Sequence, residues 1–424
     1  MNKGRSRLPN LLKAAIIVLA AGLVVIAAAV AILQSSPSVG AYGADYLRKI
    51  LGNDVVVAME TVLFNAQDTF RHAEYNLGID KANSPWSLTP EVQPSASGKV
   101  VSEPVTPLAP KTPAPVGTQA PALVSNEPVD APPVALAWIP PQITPIGILP
   151  TGAAGSMPGV GVWEPYIFDN NGQVVAYRSF VQTDPGRPYA VTAIVAFDLR
   201  AVRLHYVIGF TEPYVPNPPG RSKGEIPAAD KVPGYLLAAF NGGFKFEHGQ
   251  FGSMADGLTS VPPRAGFAAV AMYQDGSMRI GEWGRDINPS PDLVAFRENG
   301  PLVIDKGKIS QKVDIPAYWG YTLTGATVTW RSGIAIDKDD TVLYYFAGDY
   351  NSINTLSQAM ASVHPWYAMQ LDINNFWVAF ETFKADKDGL VSEPLFPVEM
   401  KENKDRFLAT YTRDFFYITA AGKP

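Results

Sequence analysis

The chain has 424 residues, of which 38 are proline and none is cysteine. Apolar residues make up 47% and charged residues 17%, so a sizeable core can be buried and a wholly disordered chain is excluded. Without cysteine there is no disulfide framework, no thiolate zinc site and no cysteine nucleophile. A net charge of −5 offers no basic surface to a polyanion, and we expect no nucleic-acid partner.

An apolar segment near the N-terminus predicts a membrane span. Residues 14–33 are twenty consecutive residues without a charge or an amide side chain, long enough as a helix to cross a hydrocarbon core of about 30 Å. The tail of residues 1–13 contains Lys3, Arg5, Arg7 and Lys13 and no acid, which favours a cytoplasmic tail and an extracytoplasmic C-terminal part. A cleaved signal peptide is the alternative, and it also predicts export.

Residues 40–80 have the spacing of juxtamembrane amphipathic helices. Gly52 is placed to end a first helix and Asn53 to cap a second. The second helix carries one apolar face, formed by Val55, Met59, Val62, Leu63, Ala66 and Phe70. We expect this face to pack on a partner, on a second copy through residues 45–78, or on lipid headgroups; packing on the chain's own main domain is the alternative.

Residues 82–157 form a proline-rich stretch, because sixteen of the 38 prolines fall between residues 85 and 150. Such a composition builds no core and favours extended polyproline conformation. The stretch is therefore predicted to be a spacer that holds the following domain away from the membrane. A proline-motif ligand for a binding domain is the alternative, and the uncharged last part, 132–157, is a candidate for packing along that domain.

Residues 159–420 are long and aromatic enough for one globular domain. Alternating side chains predict a strand over 202–208 with a neighbouring strand over 189–197. Turn signals at 275–276, 299–300 and 306–307 join further apolar runs, as in an antiparallel meander. The predicted fold class is α+β, a single mixed α/β domain.

A strand–helix–strand crossover is predicted in the last third of the chain. Residues 342–347 form an apolar strand, Asn354 is placed to cap a helix, and Pro365 stops it before a strand over 367–371. The two strands of such a unit usually run parallel. Gly348, Asp349 and Asp372 should therefore meet at one edge of the sheet, where ligand sites tend to form.

Three local features offer chemistry. An apolar run over 235–240 delivers Asn241 into Gly242 and Gly243, where a ligand could approach the backbone, although Asn-Gly is also the common hairpin signal. Asp372 closes a buried strand, a costly place for a carboxylate unless it is hydrogen-bonded or used. Arg331 precedes a strand ending near residue 337 and has a donor fork suited to phosphate or carboxylate; a surface ion pair is the alternative.

In order and separation, these features resemble the phosphodiester glycosidase family, whose bacterial members are exopolysaccharide-related. The resemblance rests on residues 240–244, 330–333 and 371–372 and covers roughly 189–418, a little over half the chain. It implies an exported hydrolase that cleaves the bond between a sugar anomeric carbon and a phosphodiester. The family usually continues the aspartate into Asp-Gly-Gly-Gly-Ser, whereas Ile373, Asn374 and Asn375 follow it here. Either asparagine can supply a side-chain amide in exchange.

The expected chemistry needs a carboxylate near the anomeric carbon, a group that activates water, and donors that hold the phosphate charge. Asp372 is the expected carboxylate and His248 a candidate base. Arg331 is the expected phosphate clamp. Asn241 with the Gly242 and Gly243 amides, and Asn374, are expected to orient substrate. Glu247, Asp256 and Asp286 are unranked second carboxylates.

We expect a carbohydrate or phosphate-linked glycan as substrate, a membrane bilayer as partner, and neither cofactor nor metal. The acidic residues Asp337, Asp339 and Asp340 begin like a calcium loop but lack its glycine and final glutamate, so a strand-joining turn is predicted there. Residues 386–389 are predicted to be a turn as well. A non-catalytic polysaccharide-binding or scaffolding module on the same fold is the alternative to an enzyme.

Overall fold

The computed structural model describes residues 43, 46–79, 81–86, 138–144, 157–182, 184–213, 223–320, 328–373, 375–387, 389–400 and 404–422. The predicted tail 1–13, the predicted span 14–33 and most of the proline-rich stretch lie outside these residues. Across the described ranges, no helix has both the length and the apolar character needed to cross a membrane.

Strands dominate the described part of the chain. In chain order they are β1 (Glu164–Phe168), β2 (Val174–Gln182), β3 (Val191–Asp198), β4 (Val202–Val207), β5 (Leu236–Asn241), β6 (Ser253–Ala255), β7 (Leu258–Val261), β8 (Ala268–Tyr273), β9 (Met278–Glu282), β10 (Leu293–Asn299), β11 (Leu302–Asp305), β12 (Lys308–Ile309), β13 (Thr329–Ile336), β14 (Val342–Asn351), β15 (Tyr367–Ile373), β16 (Phe380–Asp386), β17 (Gly389–Pro394) and β18 (Phe415–Ala420). The helices are α1 (Asn53–Asn76) and α2 (Ile353–Ala361), with 3-10 turns at Phe246–His248, Gln311–Asp314 and Pro316–Tyr318.

These strands form three antiparallel sheets. One has eight strands in the order β1-β2-β3-β14-β13-β15-β11-β12, and two have five strands, in the orders β7-β6-β10-β8-β9 and β17-β16-β5-β18-β4. The predicted hairpin turns at 275–276, 306–307 and 386–389 are confirmed, as is the turn at 337–340 between β13 and β14. The predicted class, a mixed and mostly β single domain, is confirmed.

Two strand predictions are wrong. The strands over 189–197 and 202–208 exist as β3 and β4 but are not neighbours, because β3 pairs with β2 and β14 while β4 pairs with β18. The turn at 299–300 carries the chain from one sheet to another instead of closing a hairpin. In each case the local pattern was right and the pairing was decided by burial against distant strands.

The predicted crossover runs β14–α2–β15. Both strands are antiparallel to β13, which lies between them, so they run in the same direction without touching. Arg331 on β13 pairs with Gly348 on one side and Ile373 on the other, so the two strand ends do meet at one edge. The predicted cap at Asn354 is wrong: Ser352 caps α2 and forms a capping box with Thr355.

The core lies between the eight-stranded sheet and the other two sheets. Alternate side chains of β14 face opposite sides of the sheet. Leu343 and Tyr345 join the main cluster with β5 and β18, whereas Tyr344 and Phe346 join a second cluster under α2. The continuous apolar run 342–347 is typical of a strand covered on both faces, and β14 is such a strand, at the centre of the domain.

Helix α1 packs on this domain. Gly52 has a φ of 84°, in the left-handed region, and separates α1 from a helical turn at 46–51. Arg187 donates from Nε and Nη2 to the two carboxylate oxygens of Asp68, at 2.8 and 2.7 Å. Val56 and Val57 are buried, whereas the predicted apolar face around Val55 is exposed. The helix thus packs on the main domain, as in the alternative, but through a face other than the predicted apolar one.

Both described flanks of the proline-rich stretch lie against β2. Trp86 packs edge-on to Phe180, with a ring-centroid distance of 5.5 Å, and under the Arg178 guanidinium. Trp138 packs against Tyr177 at 5.6 Å. Residues on both sides of 87–137 therefore contact the same strand, and the stretch predicted to be a spacer lies mostly outside the described residues.

Candidate functional site

The ends of β5, β15 and β18 meet around one cavity of about 60 Å³. The end of β15 supplies Asp372, the residues before β18 supply Arg413, and the chain leaving β5 supplies Lys245. The cavity is lined by Phe244, Lys245, His248, Gly320, Asp372, Ile373, Trp377 and Arg413 on the domain side and by Arg48, Val57, Glu60, Thr61 and Phe64 on the α1 side.

Asp372 is a buried carboxyl on the cavity wall, 5% exposed. Its Oδ2 accepts a hydrogen bond from Arg413 Nη2 at 2.5 Å, and its Oδ1 accepts from the amide of Ile373 at 2.8 Å. Burial raises the pKa of Asp372 to about 6, since loss of water outweighs the opposing attraction of Arg413. This carboxyl can therefore change its protonation state near neutral pH.

Two cations and an indole ring surround Asp372. The Arg413 guanidinium lies 4.5 Å from the ring centroid of Trp377, and Lys245 Nζ lies 5.5 Å from the same centroid. Burial alone would lower the pKa of Arg413, but Asp372 and Asp414 raise it, so Arg413 stays charged. Within the described chain, Arg413 Nε has no hydrogen-bond partner. The site combines a titratable acid, fixed positive charge and a half-buried aromatic face.

A second ion pair lies directly behind this one. Arg297 Nε donates to Asp414 Oδ2 at 2.8 Å, and Tyr206 donates its hydroxyl to the same oxygen at 3.2 Å. Both charged side chains are 1% exposed. Burial alone would lower the pKa of Arg297, but Asp414 raises it, which keeps this pair charged in the interior.

The two glycines after Asn241 fit around Asp414. The Gly242 amide donates to the Asp414 carbonyl at 3.0 Å, and the Gly243 amide donates to Asp414 Oδ2 at 3.1 Å. A Cβ on Gly242 would lie 2.2 Å from Asp414 Oδ2. Packing against the inner ion pair explains the glycines, and their amides are already used inside the protein.

Asn241 ties two sheets together. Its Oδ1 accepts from the Tyr345 hydroxyl at 3.0 Å and from the Ala379 amide at 3.2 Å, and its Nδ2 donates to Ser332 Oγ at 2.9 Å. Ser332 in turn donates to the Asp372 carbonyl at 3.0 Å. The Asn-Gly sequence ends β5 here without closing a hairpin. Through Ser332, Asn241 holds the end of β15 in position.

Arg331, the expected phosphate clamp, lies inside β13 and is 1% exposed. It donates to the carbonyls of Asn351 and Trp319 and to Gln370 Oε1, at 2.9 to 3.0 Å. Burial lowers its pKa to about 10. Arg331 thus joins three elements and does not line the cavity, whose described cations are Arg413, Lys245 and Arg48.

The other expected residues are dispersed. His248 lines the cavity and lies 3.5 Å from Glu247, measured from Nε2 to Oε1. Asp256 borders a separate open groove of about 720 Å³ with Trp283 and Phe296. Asp286 pairs with its neighbour Arg285, at 2.6 Å from Oδ2 to Nη2, and Asn374 lies outside the described residues.

In the portion of the chain covered by the structure, no three histidine, aspartate or glutamate side chains cluster as metal ligands would. The functional residues that the sequence reasoning missed are Lys245, Trp377 and Arg413. A usable signal existed for Arg413: the charged pair Arg413-Asp414 stands immediately before a strongly apolar strand, which forces both charges to find buried partners.

No family model matches the sequence, and no curated protein does. Three solved structures are distantly similar to the domain. The first is the zebrafish N-acetylglucosamine-1-phosphodiester alpha-N-acetylglucosaminidase catalytic domain, auto-inhibited by its pro-peptide, with 15% identity, a TM-score of 0.36, and coverage of 61% of this chain and 87% of that one. A hypothetical protein from Synechocystis has 11% identity and a TM-score of 0.33, covering 61% of this chain and 64% of that one.

The third is a putative exported protein from Burkholderia pseudomallei K96243, with 9% identity and a TM-score of 0.28, covering 54% of this chain and 74% of that one. At such identities and TM-scores, the site has to be assigned from its own geometry.

Proposed function

We propose that this protein is an extracytoplasmic hydrolase that cleaves a sugar-1-phosphodiester bond in an envelope or exopolysaccharide glycan. The observation that carries the proposal is the grouping of Asp372, Arg413, Lys245 and Trp377 around one cavity. Two fixed cations suit a phosphodiester, and an indole face suits the apolar face of a sugar ring. Arg413 links the groups, because it donates to Asp372 and packs on Trp377.

Water, the phosphodiester and these side chains account for every bond and proton of the proposed hydrolysis. Water adds to the anomeric carbon, the bond from that carbon to the phosphate oxygen breaks, and the phosphate leaves with the bonding electrons. Arg413 and Lys245 hold the charge of the leaving phosphate. The Asp372 carboxylate takes the proton lost by the attacking water. A pKa of about 6 leaves Asp372 largely ionised at pH 7, as this role needs.

Substrate access depends on α1. The cavity has a volume of only about 60 Å³. Sites for small ligands typically enclose about 300–1,000 Å³. Because α1 supplies one wall of the cavity, we propose that this helix moves away from the domain before substrate binds.

The location of the enzyme is part of the same proposal. Residues 14–33 are proposed to anchor the chain in the cell membrane as a single span, with the domain outside. The basic residues of the preceding tail support that orientation. An outward-facing site would meet polymers of the envelope.

The test is release of free sugar from model sugar-1-phosphodiesters by the full chain in detergent. We expect wild type to release sugar and Asp372→Asn to be at least about 100-fold slower. Asp256→Asn, which removes a carboxyl from the separate groove, is the matched control and should keep wild-type activity. If wild type binds such diesters but releases nothing, and Asp372→Asn binds equally well, the protein is a binding module and the enzyme proposal fails.

A further inference from the structure

The outward side of α1 carries an apolar stripe that nothing in the described chain covers. We define the outer stripe as Val55, Met59, Val62, Ala66, Phe70, Ala73 and Leu77. Val62, Phe70 and Leu77 are 69%, 67% and 73% exposed. The opposite side of the helix is occupied, because Val57, Thr61, Phe64, Asp68, Arg71 and Tyr75 are buried or half-buried. The helix therefore has one face docked and one face open.

Five of the seven residues of the outer stripe have the spacing of a coiled-coil seam, and Phe70 and Leu77 lie beside that seam. Val55, Met59, Val62, Ala66 and Ala73 follow steps of four, three, four and seven, as the a and d positions of heptads do. Two small residues, Ala66 and Ala73, allow close approach of a second backbone. The docked face uses the positions opposite this seam, so both faces can be occupied at once.

The charges of α1 favour a protein partner over a lipid surface. Of its charged residues, Glu60, Asp68, Arg71 and Glu74 are half-buried toward the domain and only Asp54 is exposed. Helices that lie in a membrane interface usually carry lysine and arginine beside the apolar face, and the described exposed side of α1 has neither. Asn65 and His72 flank the seam instead, so no aspartate, glutamate, lysine or arginine of one copy would meet its equivalent there.

We propose that the outer stripe pairs with the outer stripe of a second copy of this chain in a parallel, two-fold symmetric dimer. A surface that is apolar, neutral and regularly spaced is complementary to itself. The apolar segment 14–33 precedes α1 closely, and two copies anchored in one membrane would present their helices in the same direction and at high local concentration. That common direction selects the parallel arrangement.

Because the sequence has no cysteine, any disulfide formed in the test joins the introduced cysteines. Single cysteines are introduced into the full chain in vesicles at Val62→Cys and Ala66→Cys, and at Leu258→Cys as an exposed apolar control on the domain. In a parallel pair the same residue of both copies faces itself across the seam, within reach of a disulfide. Mild oxidation should cross-link both stripe variants at least about tenfold faster than the control.

A second variant checks the seam without oxidation. Val62→Glu should reduce the cross-linking of Ala66→Cys severalfold, because it places two carboxylates in the seam, while Gln67→Glu on the side of the helix should not. Equal cross-linking at all three cysteine positions would overturn the proposal. A second result would also overturn it: no cross-linking, together with a Val62→Cys thiol that is protected from a water-soluble reagent only when vesicles are present. That result would assign the stripe to lipid.

Discussion

Two ion pairs lie next to each other at the start of β18, and consecutive residues contribute to them. Asp414 pairs with Arg297, and both side chains are 1% exposed. Arg413 pairs with Asp372, with side chains 6% and 7% exposed on the cavity wall. Side chains of successive residues in an extended chain point to opposite sides. Asp414 therefore points into the protein interior, and Arg413 points to the cavity.

The two pairs differ in what else they hold. The inner pair receives the Gly243 amide and the Tyr206 hydroxyl and is enclosed by three sheets. In the outer pair, burial raises the pKa of Asp372 to about 6, and both side chains border the cavity. A buried ion pair whose other contacts all come from the fold is structural, whereas an ion pair that borders a cavity is available to a ligand.

Breaking the inner pair should have the largest effect. Arg297→Met leaves Asp414 buried and uncompensated, and we expect the free energy of unfolding to fall by about 3–5 kcal/mol. Denaturant unfolding of the full chain in detergent measures it. Lys384→Met removes one partner of an exposed pair, with side chains 58% and 54% exposed, and should change stability by no more than about 0.5 kcal/mol. Similar losses in both variants would contradict the comparison.

Breaking the outer pair should affect turnover more than stability. Arg413→Met removes the cation that holds the leaving phosphate, and we expect sugar release to slow by about 10²–10³-fold. The unfolding free energy should fall by less than in Arg297→Met, because Asp372 can take up a proton when its partner is lost. Arg279→Met, at a residue whose side chain is 62% exposed, is the control. A larger stability loss than in Arg297→Met would reverse the assignment.

The contribution of Asp372 to the free energy of unfolding should decrease as pH rises from about 4 to about 6. Asp372 has a higher pKa folded, about 6, than unfolded, about 3.9, so the folded state holds the proton longer and loses relative stability as the unfolded chain ionises. The contribution of this group is at most about 3 kcal/mol. Burial also raises the pKa of Asp349 and of Glu381 to about 7. Unfolding of wild type and of Asp372→Asn, compared at several pH values, separates the contribution of Asp372 from theirs. An identical pH dependence in both proteins would show that Asp372 is ionised normally.

Loosening α1 should have the smallest effect. Arg187→Met removes the ion pair between Arg187 and Asp68, whose side chains are 29% and 15% exposed. Such an ion pair contributes at most about 1 kcal/mol to the docking of α1. We expect sugar release to rise by up to about fivefold, because the cavity opens more often. Arg200→Met, on a more exposed pair within the domain, should leave the rate unchanged. Slower release in Arg187→Met would instead make α1 part of the working site.

Local patterns predicted most elements of the fold but not their partners. The alternation over 202–208 and the apolar run over 342–347 identified β4 and β14 correctly. Whether β4 pairs with β3 or with β18 depends on which faces are buried together, and that is a property of the whole chain. The cap of α2 was misplaced by two residues because Ser352 and Asn354 are both good caps.

The candidate site was predictable only in part. Asp372 stood out as an acid closing an apolar strand, and it does border the cavity. Arg331 and Asn241 stood out for the same reason, a polar group at a strand, but both are satisfied by partners inside the protein. Sequence alone reports that a buried polar group needs a partner; it does not report whether the partner is the protein or a ligand.

The docking of Trp86 and Trp138 on β2 limits how far the domain can lie from the proposed membrane span. As long as α1 is docked on the domain, only residues 34–45 separate a span at 14–33 from the folded part. Twelve extended residues cover at most about 40 Å. An enzyme anchored in this way would sample a thin layer next to its own membrane, which makes glycans attached at that surface its accessible substrates.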